Sequence, residues 1–340
     1  MNPTRSATYR SVCGIFSAIV LTSTLAKPAA AQIIVASVPI PAASAGQVAV
    51  NPALNRIYAG GGPNAGGTSL TVIDGTTFGV ITTVSPSAGV SIDMKNDNVW
   101  TGSLTAADVV VYAGSNNVEI SSTKLTACPA AVTFNCRRRM WIASQCGSGN
   151  DPVWVFDPDT FKLIDGPIAP GGTIARAPVV NPDTEKLYVT SGEVSKEINP
   201  TTFAVSNTAF GTVLAIDSNS NKLFAVSGNN LQIVLGHNDT IAQTVPLTYS
   251  PAAIGVNNSM AHVYLVNPAG NSIDVYNEVG RKLTTFLLGT NNEPTSVAVD
   301  SARGRLLVDV LNTGTNSWSL DVIEDLSTVR VCEVPGSCDY

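Results

Sequence analysis

The chain of 340 residues contains only two histidines, His237 and His262, and this scarcity limits the chemistry available to it. Imidazole is a principal ligand of zinc and the general base of the serine hydrolase triad. The sequence also lacks a Gly-x-Ser-x-Gly segment, which would place a nucleophilic serine at a strand–helix turn. We therefore predict neither a histidine-rich metal site nor a Ser-His-Asp triad, and we assign no catalytic residue.

Carboxylates offer a second kind of chemistry. Asp108, Asp151, Glu193 and Glu293 are the charged candidates in predicted loops that otherwise consist mainly of Gly, Asn, Ser and Thr. If these side chains converge, they would bind a cation or the hydroxyl groups of a sugar. If they do not converge, each of them is a solvated loop residue. They are our candidate ligand-binding residues.

Two polar turns, residues 93–98 and 217–221, contain the oxygen ligands that calcium prefers. Neither turn has the 12-residue EF-hand spacing with its terminal Glu. Both turns are also in register with a turn that recurs along the whole chain. We therefore expect no cofactor, with calcium in these turns as the alternative.

The elements that must position these residues form a phrase that occurs seven times: a β-rich run, an Asn or Asp, a short turn and then a bulky residue. The Asn or Asp positions are 42, 42, 46, 36, 40 and 43 residues apart. A β-rich period of about 42 residues is typical of one propeller blade. We predict an all-β fold, a seven-bladed β-propeller of four-stranded antiparallel blades over residues 32–340. The polar and bulky positions of the seven copies are Asn51 and Tyr58, Asp93 and Trp100, Asn135 and Trp141, Asn181 and Tyr188, Asp217 and Phe224, Asn257 and Tyr264, and Asp300 and Leu307.

Each repeat should contain four strands, which in the first copy are residues 47–50, 56–60, 70–74 and 80–84. The Asn or Asp opens the turn between the first two strands, because its side chain accepts local backbone hydrogen bonds. The bulky residue lies on the second strand and should pack between adjacent blades. A structural role is therefore the prediction for all seven Asn or Asp positions.

Two segments carry a family resemblance. Leu187-Tyr188-Val189-Thr190-Ser191 and Val263-Tyr264-Leu265-Val266-Asn267 resemble the Tyr-Val-Thr-Asn repeat of the YVTN β-propeller family. The segment Val72-Ile73-Asp74-Gly75-Thr76-Thr77 is similar to the second hallmark of that family. The resemblance covers residues 47–334 and implies a seven-bladed propeller of the exported bacterial type. It implies no shared catalytic residues.

Residues 1–31 have the pattern of a signal peptide. Arg5 and Arg10 precede an apolar run at 12–25, and small residues lead to a predicted cleavage after Ala31. The run is shorter than the roughly 20 residues that span a bilayer. We predict a secreted or periplasmic protein with no membrane span after cleavage; the alternative is an uncleaved anchor.

The net charge of the chain indicates which classes of partner it can bind. The net charge is −6 and the isoelectric point is near 4.9, so we expect no binding to nucleic acid. The single basic cluster, residues 137–139, fits within one turn, where we predict solvated side chains.

Five cysteines follow Ala31, in a compartment that permits disulfides. Cys128 and Cys146 lie at the same end of a predicted strand pair, whereas Cys136 lies in the turn about 17 Å away. A disulfide requires Cα atoms within about 7 Å, so Cys128–Cys146 is the predicted bridge and Cys136 the odd thiol. Cys332 and Cys338 flank a Pro-Gly turn and could close the C-terminal tail.

Two terminal segments compete to complete the last blade. Residues 33–40 form a β-rich run without a partner in the first repeat, and residues 329–334 also have the pattern of a strand. The sequence leaves both possibilities open.

Our main functional hypothesis is a non-enzymatic platform, monomeric by itself, that binds a protein or a glycan. The polar, small-residue loops favour contact with a partner over acid–base catalysis, which uses perturbed side chains in a dry pocket. The alternatives are a metal-dependent propeller hydrolase or lactonase with its site at the channel mouth, and a structural surface-layer component.

Overall fold

The computed structural model describes residues 32–42, 46–61, 68–135, 139–145, 149–174 and 176–326, which form strands joined by turns and loops. No α-helix occurs in these segments, and so none that could cross a membrane. The strands, in chain order, are β1 (Gln32–Ile40), β2 (Gly46–Asn51), β3 (Arg56–Gly61), β4 (Leu70–Asp74), β5 (Val80–Val84), β6 (Ala88–Asp93), β7 (Asn98–Gly102), β8 (Asp108–Ala113), β9 (Glu119–Lys124), β10 (Pro129–Asn135), β11 (Arg139–Ser144), β12 (Val153–Phe156), β13 (Leu163–Ile168), β14 (Val179–Val180), β15 (Leu187–Ser191), β16 (Val194–Ile198), β17 (Val205–Asp217), β18 (Lys222–Ser227), β19 (Asn230–Leu235), β20 (Thr240–Pro246), β21 (Ile254–Asn257), β22 (His262–Asn267), β23 (Ser272–Asn277), β24 (Lys282–Leu287), β25 (Asn292–Asp300), β26 (Arg305–Asn312) and β27 (Ser317–Asp325).

These strands form antiparallel sheets in which neighbours in the chain are neighbours in space. Four-stranded sheets are β2–β5, β6–β9, β10–β13 and β21–β24, and a fifth has the order β1-β27-β26-β25. The strands β14–β20 form one seven-stranded sheet. Its central strand β17 pairs with β16 through its first half and with β18 through its second half. The prediction of an all-β fold built mainly from four-stranded antiparallel sheets is confirmed, and the strand count corresponds to six or seven blades.

The first strand of each repeat faces the centre of the molecule. The strand β2 contacts both β6 and β25, and the series continues from β6 through β10, β14, β17 and β21 to β25. The contacts therefore close a ring around a central channel. The turns after the first and third strands lie at one end of this ring, which we name the turn face. The loops after the second and outer strands lie at the other end, the loop face.

The ring is closed by the N-terminal strand. The strand β1 pairs with β27 in a register from Gln32↔Asp325 to Ile40↔Trp318. Val38 and Ile40 are buried on this strand and join a core cluster with residues of the first sheet. Of the two segments that competed for this position, residues 33–40 therefore form the outer strand, whereas residues 329–334 lie outside the described residues.

The core lies between successive sheets. Tyr58, Trp100, Trp141, Tyr188, Phe224, Tyr264 and Leu307 are each at most 1% exposed. Each joins a separate cluster with buried residues of the next repeat, as Trp141 does with Leu187 and Val189. Such an aromatic side chain removes about 150–250 Å² from water, worth about 4–6 kcal/mol before entropic costs. The prediction that the bulky residue packs between adjacent blades is confirmed.

Candidate functional site

The recurring Asn or Asp caps the first turn of its repeat. Asp183 N donates to Asn181 Oδ1 at 2.9 Å, and Asn219 N donates to Asp217 Oδ1 at the same distance. Equivalent backbone contacts are made by Asn51, Asp93 and Asp300. The predicted structural role is confirmed for these repeats, whereas the Asn135 side chain lies outside the described residues.

The two turns considered for calcium use their carboxylates in this way. Asp93 accepts Lys95 N at 3.1 Å and Asn96 Nδ2 at 2.8 Å. Asp217 accepts two backbone N–H groups, and burial raises the pKa of its carboxyl above the ordinary value despite them. Both carboxylates therefore already contribute to their own turns.

A contact that was not predicted from the sequence joins each repeat to the next at the turn face. A basic side chain of one repeat reaches the turn before the outer strand of the following repeat. The clearest example is Lys186, whose Nζ lies 2.5 Å from Asp239 Oδ2 and 3.1 Å from Glu197 Oε2. Tyr188, two residues later, donates its hydroxyl to Asp239 Oδ1 at 2.6 Å. Burial and this carboxylate raise the pKa of the Tyr188 phenol well above its ordinary value.

The interface before the closing sheet repeats this arrangement with histidine in place of lysine. His262 Nδ1 lies 2.8 Å from Asp325 Oδ2, and Tyr264 donates its hydroxyl to the same oxygen at 2.5 Å. Gln32, the first residue of β1, donates its side-chain amide to Asp325 Oδ1 at 3.3 Å. All four side chains are buried. Asp325 therefore joins the closing strand to the preceding sheet.

The other sheet interfaces use arginine or lysine. The remaining pairs are Arg56 with the carbonyls of Gly114 and Ser115, Lys95 with Asp159, Arg139 with the ring of Phe203, Lys222 with Glu278, and Arg305 with the ring of Phe78. The prediction of solvated side chains at 137–139 is wrong for Arg139, because its guanidinium lies 5.4 Å from the centre of that aromatic ring. A visible signal was a basic residue two positions before the bulky residue in six of the seven repeats.

The central channel has a volume of about 370 Å³ and an uncharged wall. Among the described residues that line it, none is Asp, Glu, Lys, Arg or His, so both histidines lie away from it. Most of the lining comes from Val, Ile, Leu and Ala of the inner strands. The lining extends into the turn face at Met94, Pro182, Ser218 and Asn258.

At the loop face, two side chains join segments of different repeats. Gln47 donates to Val132 O at 3.0 Å and accepts Val90 N at 3.1 Å, which links three sheets. Arg176 donates to Ala252 O across β17, and burial lowers the pKa of its guanidinium.

The four candidate carboxylates occupy different environments. Asp108 begins β8 and lies 4.0 Å from Lys124 Nζ on the adjacent strand. Asp151 is fully buried, and its Oδ2 accepts Ile174 N at 3.0 Å. Glu193 is exposed in the turn between β15 and β16, and Glu293 is half-buried on β25. In the part of the chain that the structure describes, no three His, Cys, Asp or Glu residues form a group that could hold a metal ion.

The backbone places Cys128 beside Gln145, the residue that precedes its predicted partner in the sequence. Pro129 pairs with Ser144, and Gln145 N donates to Cys128 O at 3.1 Å. Cys146 follows directly but lies outside the described residues, as do Cys136, Cys332 and Cys338. The two disulfides therefore stay predictions.

An unrepeated residue, Asp309, was also missed. It lies two positions after the bulky Leu307, faces the first sheet and is fully buried. The equivalent positions in the other repeats are Gly60, Gly102, Ala143, Thr190, Val226 and Val266. A carboxylate in a series of small or apolar residues was a signal in the sequence.

Comparison with known proteins identifies the fold. No protein-family model and no curated protein sequence matches the chain. A chain in the crystal structure of the mitotic checkpoint complex matches with a TM-score of 0.70 and 11% identity, covering 93% of this chain and 98% of that one. U3-55K matches with a TM-score of 0.67 and 9% identity, covering 84% and 97%. The Cps50 (Swd1) β-propeller domain of Myceliophteria thermophila has a TM-score of 0.63 and 12% identity, covering 87% and 100%. At these identities the likeness establishes the fold alone, which is a β-propeller.

Proposed function

We propose that this protein is an exported seven-bladed β-propeller that acts as a non-enzymatic platform for a protein partner. The observation that carries the proposal is a belt of exposed apolar side chains on the outer strands. This apolar rim consists of Ile33, Ile34, Val80, Ile81, Ile120, Leu163, Ile164, Ile241 and Leu283, each 39–50% exposed.

The rim occupies one level of the molecule. Val80 and Leu163 are the first residues of their outer strands, and Ile120, Ile241 and Leu283 are the second. Each therefore lies beside the turn face. Exposed apolar side chains that recur at one level of several outer strands provide surface for contact with a partner.

The outer edges are also protected against indiscriminate strand pairing. The pairing of each outer strand carries a register shift, as at Val72/Ile73 and Ile34/Ala36. Such bulges twist an edge away from further strand addition. The rim is thus better suited to side-chain contact with a folded partner than to strand addition.

The blade count and the origin of the chain are part of the proposal. Because β17 serves as an outer strand for β16 and as an inner strand for β18, dividing it yields seven units of four strands. The resemblance to the YVTN repeat and the signal-peptide pattern of residues 1–31 support an exported bacterial protein.

The structural neighbours support a role in binding. WD40 propellers are typically protein-interaction platforms, and one matched chain was solved within a multi-protein complex. Our proposal applies the same use of the fold to this chain, with the rim as the contact surface.

Site-specific photo-crosslinking in the source cells tests the rim. A photoreactive residue at Ile81 or Leu163 should give discrete adducts with one protein, which mass spectrometry of the band identifies. Val194 is the matched control, because it is 42% exposed but lies at the loop-face end of β16.

Adducts of equal yield from Val194, or none from the rim, would contradict the proposal. A purified partner should then bind the wild type and lose at least tenfold in affinity to Ile81→Lys with Leu163→Lys. Retention on a glycan array, unchanged by these substitutions, would instead identify a sugar ligand and contradict the protein partner.

Export is tested separately. Fractionation of cells should recover the protein in the periplasm or the medium. Its intact mass should correspond to a chain that starts at Gln32. A full-length cytoplasmic product would overturn the localisation without affecting the crosslinking result.

A further inference from the structure

The seam between the closing sheet and the first sheet contains a buried acid. At the equivalent position, Gly60 and Gly102 permit close approach of the next sheet: a Cβ there would lie 3.0 Å from Gly89 O and 2.2 Å from Pro129 O. Asp309 instead places a carboxyl group in this narrow space. The seam is therefore chemically unlike the other sheet interfaces.

The Asp309 carboxyl group is incompletely satisfied. Its Oδ2 accepts Gly46 N at 2.9 Å and Ser296 Oγ at 2.8 Å. Its Oδ1 is buried and has no hydrogen-bond partner in the described part of the chain. An unpartnered buried carboxylate oxygen is costly, because nothing replaces the water that it lost.

No cation in the described structure offsets this burial. From β25 the group faces the Ser296 hydroxyl, and from β2 it faces the Gly46 amide. Two acids lie on neighbouring strands: Glu293 pairs with Leu311, and Asp321 accepts the hydroxyls of Ser37 and Ser319. Neither acid could stabilise a second negative charge.

We propose that Asp309 forms a protonation-dependent contact that holds the closing sheet against the first sheet, and we name this contact the clasp. When the carboxyl is protonated, β2 remains close against β26. When it ionises, the Gly46 N–H still donates to Oδ2, but the buried charge has neither water nor a partner at Oδ1, so opening of the seam, which would admit water to this oxygen, becomes more favourable. The clasp depends on ring closure alone and is independent of the proposed partner and of export.

The direction of the effect follows from the burial. Desolvation raises the pKa of Asp309 from 3.8 to about 6, and the two hydrogen bonds offset it only in part. The folded state therefore holds its proton more tightly than the unfolded state, so its stability falls as pH rises from about 4 to about 6. The shift corresponds to a loss of about 100-fold in the ratio of folded to unfolded protein.

Urea unfolding of wild type and Asp309→Asn between pH 4 and pH 8 tests the clasp. The unfolding constants of the two proteins should converge near pH 4, whereas above pH 6 the variant should be more stable by up to about 100-fold. Asp321→Asn is the matched control, because it changes a buried acid of the same sheet that has hydroxyl donors. If the ratio of the unfolding constants of wild type and D309N is constant across this pH range, the proposal is overturned.

A second measurement needs no variant. Hydrogen exchange of the wild type should accelerate at Gly46 and along β2 as pH rises from 4 to 7, after correction for the intrinsic rate. Exchange along β15, on the opposite side of the ring, should stay unchanged. Equal acceleration at both strands, or none at β2, would contradict the clasp even if D309N failed to fold.

Discussion

The contact of Lys186 and Tyr188 with Asp239 and the contact of His262 and Tyr264 with Asp325 are two versions of one design. In both, a tyrosine of the second strand donates to a carboxylate of the next repeat, at 2.6 and 2.5 Å. The base two residues earlier binds the same carboxylate. They differ in burial, since the Asp239 side chain is 18% exposed and that of Asp325 is fully buried.

The difference shows which part of the contact the fold requires. The tyrosine–carboxylate hydrogen bond is common to both interfaces, whereas the base changes from lysine to histidine. At the second interface Gln32 also donates to the carboxylate, so the histidine contact coincides with ring closure. The partly exposed carboxylate binds a lysine ammonium group, whereas a histidine, a tyrosine and a glutamine converge on the buried one.

The largest expected effect comes from removing the carboxylates. Asp325→Asn puts an amide where three donors converge, and we expect the free energy of unfolding to fall by about 3–5 kcal/mol. Asp239→Asn should cost only about 1–2 kcal/mol, because water reaches that site and Lys186 keeps Glu197. Urea denaturation measures both values, and equal losses would contradict the distinction drawn from burial.

Removing one phenol tests the common element. Tyr264→Phe and Tyr188→Phe should each lower the free energy of unfolding by about 1–2 kcal/mol, since a charge-assisted hydrogen bond is lost. Thermal unfolding of both variants checks this. A loss confined to one of them would show that the tyrosine contact is not the shared element.

Alkaline pH should weaken both interfaces through the same phenols. Burial raises the pKa of Tyr188 and of Tyr264, with the adjacent carboxylates adding to the effect. The folded state thus holds these protons more tightly than the unfolded state, so stability is lost as pH rises above 10. Phenolate absorbance should appear together with loss of β circular dichroism, and Tyr264→Phe should lessen the decline.

The smallest effect is expected at the exposed contact of Lys95 with Asp159. The Lys95 side chain is 55% exposed, so Lys95→Ala should cost about 0.2–1 kcal/mol, less at high salt. A loss comparable to that of Asp325→Asn would show that position in the ring, not burial, determines the strength of each contact.

The repeat was predictable from the sequence because its signals are local. An Asn or Asp accepts N–H groups two or three residues away, and β4 and β5 have the predicted bounds. The bulky residue was also identified, because its spacing from the turn fixes it on the second strand. Contacts between residues that are close in the sequence can therefore be predicted from the sequence alone.

The channel and the seam were not predictable in the same way. Gln47 reaches a residue 85 positions away, and Arg176 one that is 76 positions away. The missing partner of Asp309 depends on how closely β2 approaches β26, which no local pattern encodes. The basic residues of the sheet interfaces were visible in the sequence, but their turn partners lie in the following repeat.

The pairing of β1 with β27 sets an order of events. Gln32 and Asp325 are 293 positions apart. Because β1 is synthesised before the other strands, it cannot pair until β27 has been synthesised. Until then β1 is a lone strand with Val38 and Ile40 uncovered, and closing so long a loop is a late step. A chain truncated before β27 should therefore leave both ends of the ring open to proteases, and completion of the last strand is the point at which the protein becomes resistant.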